Sequence, residues 1–346
     1  MSSQKALHLT KGSPFVLAER DIPAPAKGEL LVKVHAAALN PVDWKVQAGY
    51  IGQLSEKNPV IIGADAAGEV VRVGEDVDFS VGDRVVFQSQ AFNNDYAGYQ
   101  QFTKVPIDLV AKIPKSVTYA EAASVPSGLA TAAIGLLSEP PRGAGLDPSV
   151  NETLKYSNQP ALVVGGSSSV GQYAIQLLRY LNFSPIITYA SGHHTTYLKS
   201  LGATHVVDRK SVELSNLPAE IRKITQTPVK TIYDAVGLAD TQQAAYASLA
   251  DDEGATLVLV LPSLLQETTG KKKVYSTLGV VTDPGNRKFA GELFRKVERF
   301  LADGTIVPNK VEELPNGLEG VQGGLERLRG NQVSGVKLVA LPQETK

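Results

Sequence analysis

Between Ala161 and Ala190 the chain passes through a short apolar strand, a glycine-serine turn, a stretch in helical spacing and a second apolar strand. The turn reads Gly165-Gly166-Ser167-Ser168-Ser169-Val170-Gly171, and Gln172 to Tyr180 continues it with helical periodicity. A strand that enters a helix this way and returns as a second strand is a βαβ unit, which commits the surrounding chain to a parallel sheet. Further apolar segments at His205–Asp208, Thr231–Asp234, Thr256–Val260 and Val274–Val280 alternate with helix candidates at Ala219–Thr225 and Thr241–Leu249. The spacing predicts a doubly wound α/β domain of the Rossmann kind.

A dinucleotide's pyrophosphate requires a tight turn, close approach of the backbone and a helix N-terminus whose amides face the anion. Gly165 and Gly166 permit the turn, and Gly171 permits close packing of the helix. Ser167 and Ser168 offer hydroxyl donors, Val170 lies in the first turn, and Ser169 is placed to cap the helix. Two adjacent glycines precede the serines and Gly171 follows Gly166 by five positions, so the usual glycine fingerprint is not reproduced. A phosphate-binding turn and an ordinary structural junction both fit these letters, and the strand-turn-helix setting favours the first.

The end of the second strand, Thr188-Tyr189-Ala190-Ser191-Gly192, carries no carboxylate. An acidic residue there would accept hydrogen bonds from the free ribose of NAD and repel the extra phosphate of NADP, so NADPH is the expected cofactor. Ser191 is the first candidate donor to that phosphate, with His193, His194, Lys199 and Arg209 nearby. For His194 and Lys199 a plain surface role is equally open.

The N-terminal part has a different rhythm. Glu29–Ala36, Gly68–Val73, Arg84–Gln88 and segments within Phe102–Ile113 read as short strands, without helical periodicity from Lys5 to about Arg84. Tyr119–Leu137 is Ala-rich and reads as a helix capped by Thr118, and Ser138–Gln159, with Pro140-Pro141, reads as a surface excursion. Lys288–Asp303 is a charged amphipathic helix candidate, and Lys310–Leu314 and Val336–Ala340 return to strand patterning. The 346 residues are enough for two domains, each with its own core. With 34 Lys and Arg against 35 Asp and Glu, nothing electrostatic favours a nucleic-acid or anionic-membrane partner. The absence of cysteine excludes disulfides, thiolate nucleophiles, iron–sulfur clusters and cysteine-ligated zinc. The opening residues lack the apolar core of a signal peptide, and a soluble cytoplasmic location is the expectation.

Two N-terminal stretches are poor core sequence. Ala38-Leu39-Asn40-Pro41-Val42-Asp43-Trp44-Lys45 places a restrained Asn-Pro turn and a polar trio directly after a strand, either to line a cleft or to form a packing and ion-pair cluster. Gly63-Ala64-Asp65-Ala66-Ala67-Gly68 lets backbone pass close to another element, with Asp65 readable as a turn cap.

These stretches, together with the glycine turn, Val81-Gly82-Asp83-Arg84-Val85 and Tyr233-Asp234-Ala235-Val236-Gly237, resemble the zinc-independent branch of the medium-chain dehydrogenase/reductase superfamily. Within it the chain is most similar to quinone-oxidoreductase-like proteins and fungal stand-alone enoyl reductases that serve polyketide synthases. The resemblance runs over essentially the whole chain. It implies a GroES-like catalytic domain over 1–122, rejoined by 301–346, and a Rossmann NADPH-binding domain over 123–300. Zinc-dependent relatives have Cys where this chain has Asn40 and a His-Glu pair at Ala64-Asp65, so no metal site is expected here. Asp43, Asp65 and Asp95 are read as caps or cleft walls.

The resemblance also places Asn40, Val42, Asp43 and Lys45 near nicotinamide and substrate, Thr131 on the cofactor side, and Val236 and Gly237 beside the nicotinamide ribose. Leu259 and Gly279, at strand ends, and Gly335 and Lys337, in the terminal Gly-Lys segment, complete the expected cofactor contacts. Without a metal, hydride transfer needs an acceptor that can spread negative charge, such as an enone, enoyl thioester or quinone. Lys45, Tyr50 and Tyr96 are the candidates for charge stabilisation or proton delivery, with solvent protonation as the simpler route. Three functions follow: a free-standing NADPH-dependent reductase of such substrates, an enoyl reductase partnering a polyketide synthase carrier domain, or a noncatalytic NADPH-binding protein. Monomer and homodimer are both open: Thr256–Leu261 could serve as a pairing edge, or Pro262 could simply guard that edge.

Overall fold

The computed structural model describes residues 3–50, 52, 54–151, 156–268 and 270–346. Parts of the expected surface excursion (152–155) and of the polar loop after Tyr50 (51 and 53) lie outside the described residues. The chain divides into two compact units, one comprising Met1–Ser127, Phe294–Asp303 and Pro308–Lys346, the other Gly128–Leu293 and Gly304–Val307.

The first unit opens with a hairpin of β1 (Ser3–His8) and β2 (Val16–Asp21) and continues through β3 (Glu29–Ala38), α1 (Pro41–Gln47), β4 (Asp65–Val73), β5 (Arg84–Gln88), β6 (Phe102–Pro106), β7 (Val110–Lys112) and α2 (Tyr119–Ala123). The expectation of no helix before Arg84 is corrected by α1. Pro41 sits at the first helical position, where its missing N–H costs nothing, and the Asp43 carboxylate accepts the Asn40 N–H at 2.8 Å. Helix α2 has a full capping box: Thr118 Oγ1 accepts from Glu121 N, and Thr118 N donates to the Glu121 carboxylate at 2.8 Å.

The apolar stretch Tyr119–Leu137 is long and apolar enough to cross a membrane by composition, yet 83% of its window is buried in the fold. It is also interrupted after Ala123, and α3 (Pro126–Leu137) starts afresh at a proline.

The second unit contains β8 (Ala161–Val164), α4 (Ser169–Tyr180), β9 (Ile186–Ala190), α5 (Thr195–Leu201), β10 (His205–Asp208), α6 (Leu217–Ile224), β11 (Thr231–Asp234), α7 (Ala239–Ser248), β12 (Thr256–Leu259) and β13 (Lys273–Ser276). All six strands are parallel, in the order β10-β9-β8-β11-β12-β13. The order reverses between β8 and β11, the doubly wound arrangement read from the sequence, and the carboxyl ends at that reversal form the crevice where such sheets take ligands. Every residue of β8, β9, β11 and β12 is buried, which is why these strands read as short continuous apolar runs.

Two sequence readings need correction here. The strand expected over Val274–Val280 stops at Ser276. The chain then turns against α3 so closely that a Cβ on Gly279 would sit 1.9 Å from Thr131 Oγ1. Thr256–Leu261 is not a pairing edge, because β13 covers β12 in parallel register.

After α8 (Arg287–Ala302), strand β14 (Lys310–Glu313), α9 (Gly320–Arg329) and β15 (Val336–Ala340) complete the first unit. Its main sheet runs β14-β15-β3-β4-β5-β7. Along one edge of β3, β6 pairs with Glu29–Lys33 and β15 pairs antiparallel with Ala37 and Ala38. Leu30, Val32, Val34, Val70, Val85, Phe87 and Tyr99 form the centre of this unit's core.

Candidate active site

In the first unit, the neighbouring positions of β15, β3 and β4 gather side chains distant in sequence. Asn40, one residue beyond the Leu39 N–H that donates to Leu338 O at 2.9 Å, lies beside Lys337 of β15 and Asp65 at the start of β4. Asn40 Nδ2 donates to Asp65 Oδ2 at 2.9 Å, and Lys337 Nζ donates to Asn40 Oδ1 at 2.5 Å while standing 3.2 Å from Asp65 Oδ2. The other Asp65 oxygen accepts the Ser127 N–H at 2.7 Å. Asp65 is fully buried and Lys337 is 4% exposed. A buried carboxylate with an ammonium and two hydrogen-bond donors is compensated, which is the condition for a charge to be tolerated inside a fold.

Asp43 adjoins this cluster. Its Oδ2 accepts both the Asn40 N–H and the Tyr99 O–H, the latter at 2.6 Å. Burial pushes the Asp43 carboxyl up to about 6 and the Asp65 charge adds to this, while its hydrogen bonds and Lys337 pull the other way. Burial first, and then the charge and acceptor of Asp43, hold the Tyr99 phenol well above its usual range. Ser89 Oγ is buried with no hydrogen-bond partner among the described residues, and Ser89 directly follows Gln88, the register partner of Asp65.

Sequence reading nominated Asn40, Asp43 and Lys337, left Asp65 as a cap or cleft-wall group, and did not single out Tyr99 or Ser89. The signals for Asp65 were its glycine-flanked setting and its place opposite the His-Glu pair of zinc-dependent relatives. Among the other nominees, Lys45 lies 5.8 Å from the Trp44 ring and Tyr50 meets the same indole edge-on, largely exposed. Tyr96 donates to Glu29 beneath the Lys104 ammonium, and Asp95 pairs with Arg20, so both belong to a separate network. Val42 is partly exposed on α1, and Gly335 precedes β15 with a φ of +71°.

In the second unit, the turn after β8 is built from backbone. Gly165 adopts φ +79° and lies against Val236, whose Cγ2 a Cβ would approach to 2.5 Å. A Cβ on Gly166 would fall 2.0 Å from Thr188 Oγ1, and one on Gly171 would fall 2.3 Å from Gly165 O. The N-cap of α4 is Ser168, not Ser169: its Oγ accepts the Gly171 N–H at 3.0 Å, and Ser169 and Val170 open the first turn. Ser167 O accepts from Gln172 Nε2.

On the next strand, Asp234 Oδ1 accepts the N–H groups of Val236 and Gly237 at 2.9 and 3.1 Å, fixing that loop, and Gly237 takes a φ of +78°. Leu259 O accepts the Thr277 N–H at 2.8 Å, and Thr277 Oγ1 is buried without a partner among the described residues. Thr131 O accepts the Tyr233 hydroxyl.

At the end of β9, Arg209 Nε donates to Ser191 Oγ at 2.7 Å, so two of the expected phosphate ligands meet. The carboxylate absent from Thr188–Gly192 is supplied from the neighbouring strand by Asp208, but its Oδ1 is taken by the N–H groups of Gly192 and Lys210. The His194 ring lies 3.9 Å from that of His193, tilted by 46°, and Lys199 is exposed on α5.

This second arrangement fits a dinucleotide. It offers a capped helix N-terminus, a glycine turn with no room for side chains, and an orphaned hydroxyl at the carboxyl end of β13. The Asn40 cluster does not fit a metal ion. An amide and an aliphatic residue stand at Asn40 and Ala64, and the Lys337 ammonium already occupies the acceptors of Asn40 and Asp65. Among the described residues, no three His, Cys, Asp or Glu side chains converge as a metal site.

Comparison with known proteins agrees with both units. Residues 26–127 match the alcohol dehydrogenase GroES-like domain, and residues 169–276 match the zinc-binding dehydrogenase family. The chain is 32% identical to trans-enoyl reductase FSL5 of Gibberella zeae, covering 96% of this chain and 95% of that protein. An alcohol dehydrogenase superfamily protein from Novosphingobium aromaticivorans superposes with a TM-score of 0.81 at 24% identity, covering 98% of this chain and 99% of that one. The mycobacterial protein Rv1454c, solved in complex with NADPH, superposes with a TM-score of 0.76 at 26% identity, covering 98% of this chain and 100% of that one. The chain belongs to the zinc-independent branch of the medium-chain dehydrogenase/reductase superfamily of oxidoreductases.

Proposed function

We propose that this protein is an NADPH-dependent reductase of carbon–carbon double bonds conjugated to a carbonyl, acting in trans on enoyl thioesters carried by a polyketide synthase. The observation that carries the reading is the Ser168-capped glycine turn at the topological switch of the parallel sheet. Ser191 and Arg209 favour the phosphorylated dinucleotide, and the NADPH complex of the mycobacterial neighbour supports that choice. The enoyl substrate follows the name of the Gibberella relative.

NADPH, when bound, supplies a hydride. Gly165 to Gly171 would hold its pyrophosphate, Ser191 and Arg209 its extra phosphate, and Val236, Gly237, Leu259 and Gly279 its nicotinamide half. On the substrate, hydride addition at the β-carbon sends the π electrons to the carbonyl oxygen, and the resulting enolate takes a proton at the α-carbon. The chain's part is to stabilise that oxygen and to position the acyl chain. Asn40 is the donor for this task, since Nδ2 carries a second N–H beyond the one given to Asp65. The buried acid–base groups are occupied with one another: Tyr99 is held protonated by burial and by Asp43, and Lys337 is paired with Asp65, so water protonates the enolate.

The test is NADPH titration by fluorescence, followed by NADPH oxidation with an enoyl thioester on a carrier domain, the same acyl group on a small pantetheine thiol, an enone and a quinone. Saturable binding with carrier-bound enoyl chains as the best substrate is expected. Turnover of quinone alone would make the protein a free-standing quinone reductase, and no saturable binding would end the reading.

A further inference from the structure

The side-chain amide of Asn40 is held at both ends. Oδ1 accepts from the Lys337 ammonium at 2.5 Å and Nδ2 donates to the Asp65 carboxylate at 2.9 Å. The two ends of an amide are nearly equal in size, so packing alone does not choose between its two orientations. Charge does. In the flipped state an NH₂ group would face an ammonium, and an oxygen would face a carboxylate. Lys337 enforces the observed state twice: directly at Oδ1, and by standing 3.2 Å from the same Asp65 Oδ2 that accepts from Nδ2.

We propose that Lys337 is a positioning residue for the reaction, fixing the Asn40 amide so that its remaining N–H is offered to the substrate's carbonyl oxygen. This assignment rests on the reductase reading above and departs from the cofactor contact expected at Lys337, whose ammonium is spent on Asn40 and Asp65 in a 4% exposed position.

Three proteins test it: the parent, Lys337→Met, and the double variant Asp65→Asn/Lys337→Met, in which both charges are removed together. Melting temperature, NADPH Kd, kcat and KM for an enone, and the side-chain amide resonance of Asn40 are read for each. Lys337→Met should melt lower, because it leaves Asp65 buried and unpaired, and the double variant should regain most of that loss. In the double variant kcat should stay about 100-fold below the parent, the scale of losing one oriented oxyanion donor. NADPH Kd should stay within about threefold of the parent, since no cofactor contact is lost, and the Asn40 amide resonance should shift.

A double variant with parental kcat would show a purely structural ion pair. A Kd raised about tenfold or more with unchanged kcat would show a cofactor ligand. Either result overturns the assignment alone, whereas a parent that binds no NADPH overturns the reductase reading and the assignment with it. If Lys337→Met does not fold, Lys337→Cys provides the second route, since the natural chain has no other cysteine. Aminoethylation of the unfolded variant before refolding restores an ammonium and should restore kcat, while carbamidomethylation should not; equal activity of the two products overturns the assignment.

Discussion

The cluster at Asn40 joins side chains up to 297 positions apart, whereas the glycine-serine turn of the parallel-sheet unit is complete within the run from Gly165 to Gly171. The first is made of buried charged and amide side chains that neutralise one another. The second is made of backbone, with glycines keeping side chains away and one serine capping a helix. Charge clusters are stiff because each member is costly to leave unpaired. Backbone turns are stiff because of steric exclusion. The two should therefore fail differently when a single residue is changed, and the chain can be used as its own control.

The largest effect is expected at Asp65. Replacing it with Ala strands the Lys337 ammonium and leaves Asn40 Nδ2 without its acceptor, at a cost of about 3–5 kcal/mol in urea unfolding. Losses for Asp65→Ala and Lys337→Ala should be far from additive, because either one already breaks the pair. Additive losses would show that the two residues act independently and that the cluster is not one unit.

Next is the pH dependence of Asp43. In the unfolded chain this carboxyl ionises near 3.8, and in the folded protein burial raises it to about 6. Between those values the folded chain binds more protons than the unfolded one, so this group's contribution is fully present below the lower pKa and is lost as pH rises through the upper. The swing is about 3 kcal/mol. Carboxylates elsewhere, Glu29 and Glu312 among them, are held low by their partners and slope the other way. The effect is therefore read as the difference between the parent and Asp43→Asn across pH 4 to 6. A difference that does not change across that range would mean Asp43 is not the buried proton site.

The contrast between the regions also explains what could be read from the letters. The doubly wound parallel sheet, the turn and its helix were legible because β8, α4 and β9 are local in sequence and largely buried, which leaves an apolar-glycine-apolar pattern, whereas the strand order follows only from the sheet pairing. Asp65 was legible only as a cap or cleft-wall group and Tyr99 not at all, because their partners are supplied by sheet pairing: Ala38 lies opposite Asp65, and β15 lies on the far side of β3. Helix α1 was missed because seven residues with one proline show no period, and its stability comes from the Asp43 carboxylate returning to the Asn40 N–H. The exchange of Ser169 for Ser168 as the cap of α4 is a one-residue difference among three identical letters, settled only by which Oγ reaches Gly171 N.

A smaller effect probes the turn. Gly171→Ala places a methyl 2.3 Å from Gly165 O and 2.8 Å from Gly166 Cα, backbone atoms that cannot rotate away. Overpacking of this kind costs about 2 kcal/mol, and the relaxation must displace the very segment proposed to hold pyrophosphate. Unlike the Asp65 variants, this one should lose NADPH affinity along with stability while leaving the pH difference at Asp43 intact. A stability loss with unchanged NADPH affinity would place the pyrophosphate elsewhere.

The smallest effect lies where the two building styles meet. Ser191 and Arg209 are side chains, but they stand only 18 positions apart, at the ends of two adjacent parallel strands, and their hydrogen bond is 2.7 Å long. Arg209 is exposed, so its charge is screened by solvent and its contact with a phosphate is weaker than one in the interior. Arg209→Ala should raise the Kd for NADPH about tenfold and leave that for NADH nearly unchanged, because only NADPH carries the group it addresses. Asp208 sharpens the expectation. It already receives the N–H groups of Gly192 and Lys210, and without the neighbouring guanidinium its carboxylate would weigh further against a second phosphate. Equal losses for both dinucleotides would mean that Arg209 only props the loop through Ser191, and the preference for NADPH would then have to come from another residue of this strand end.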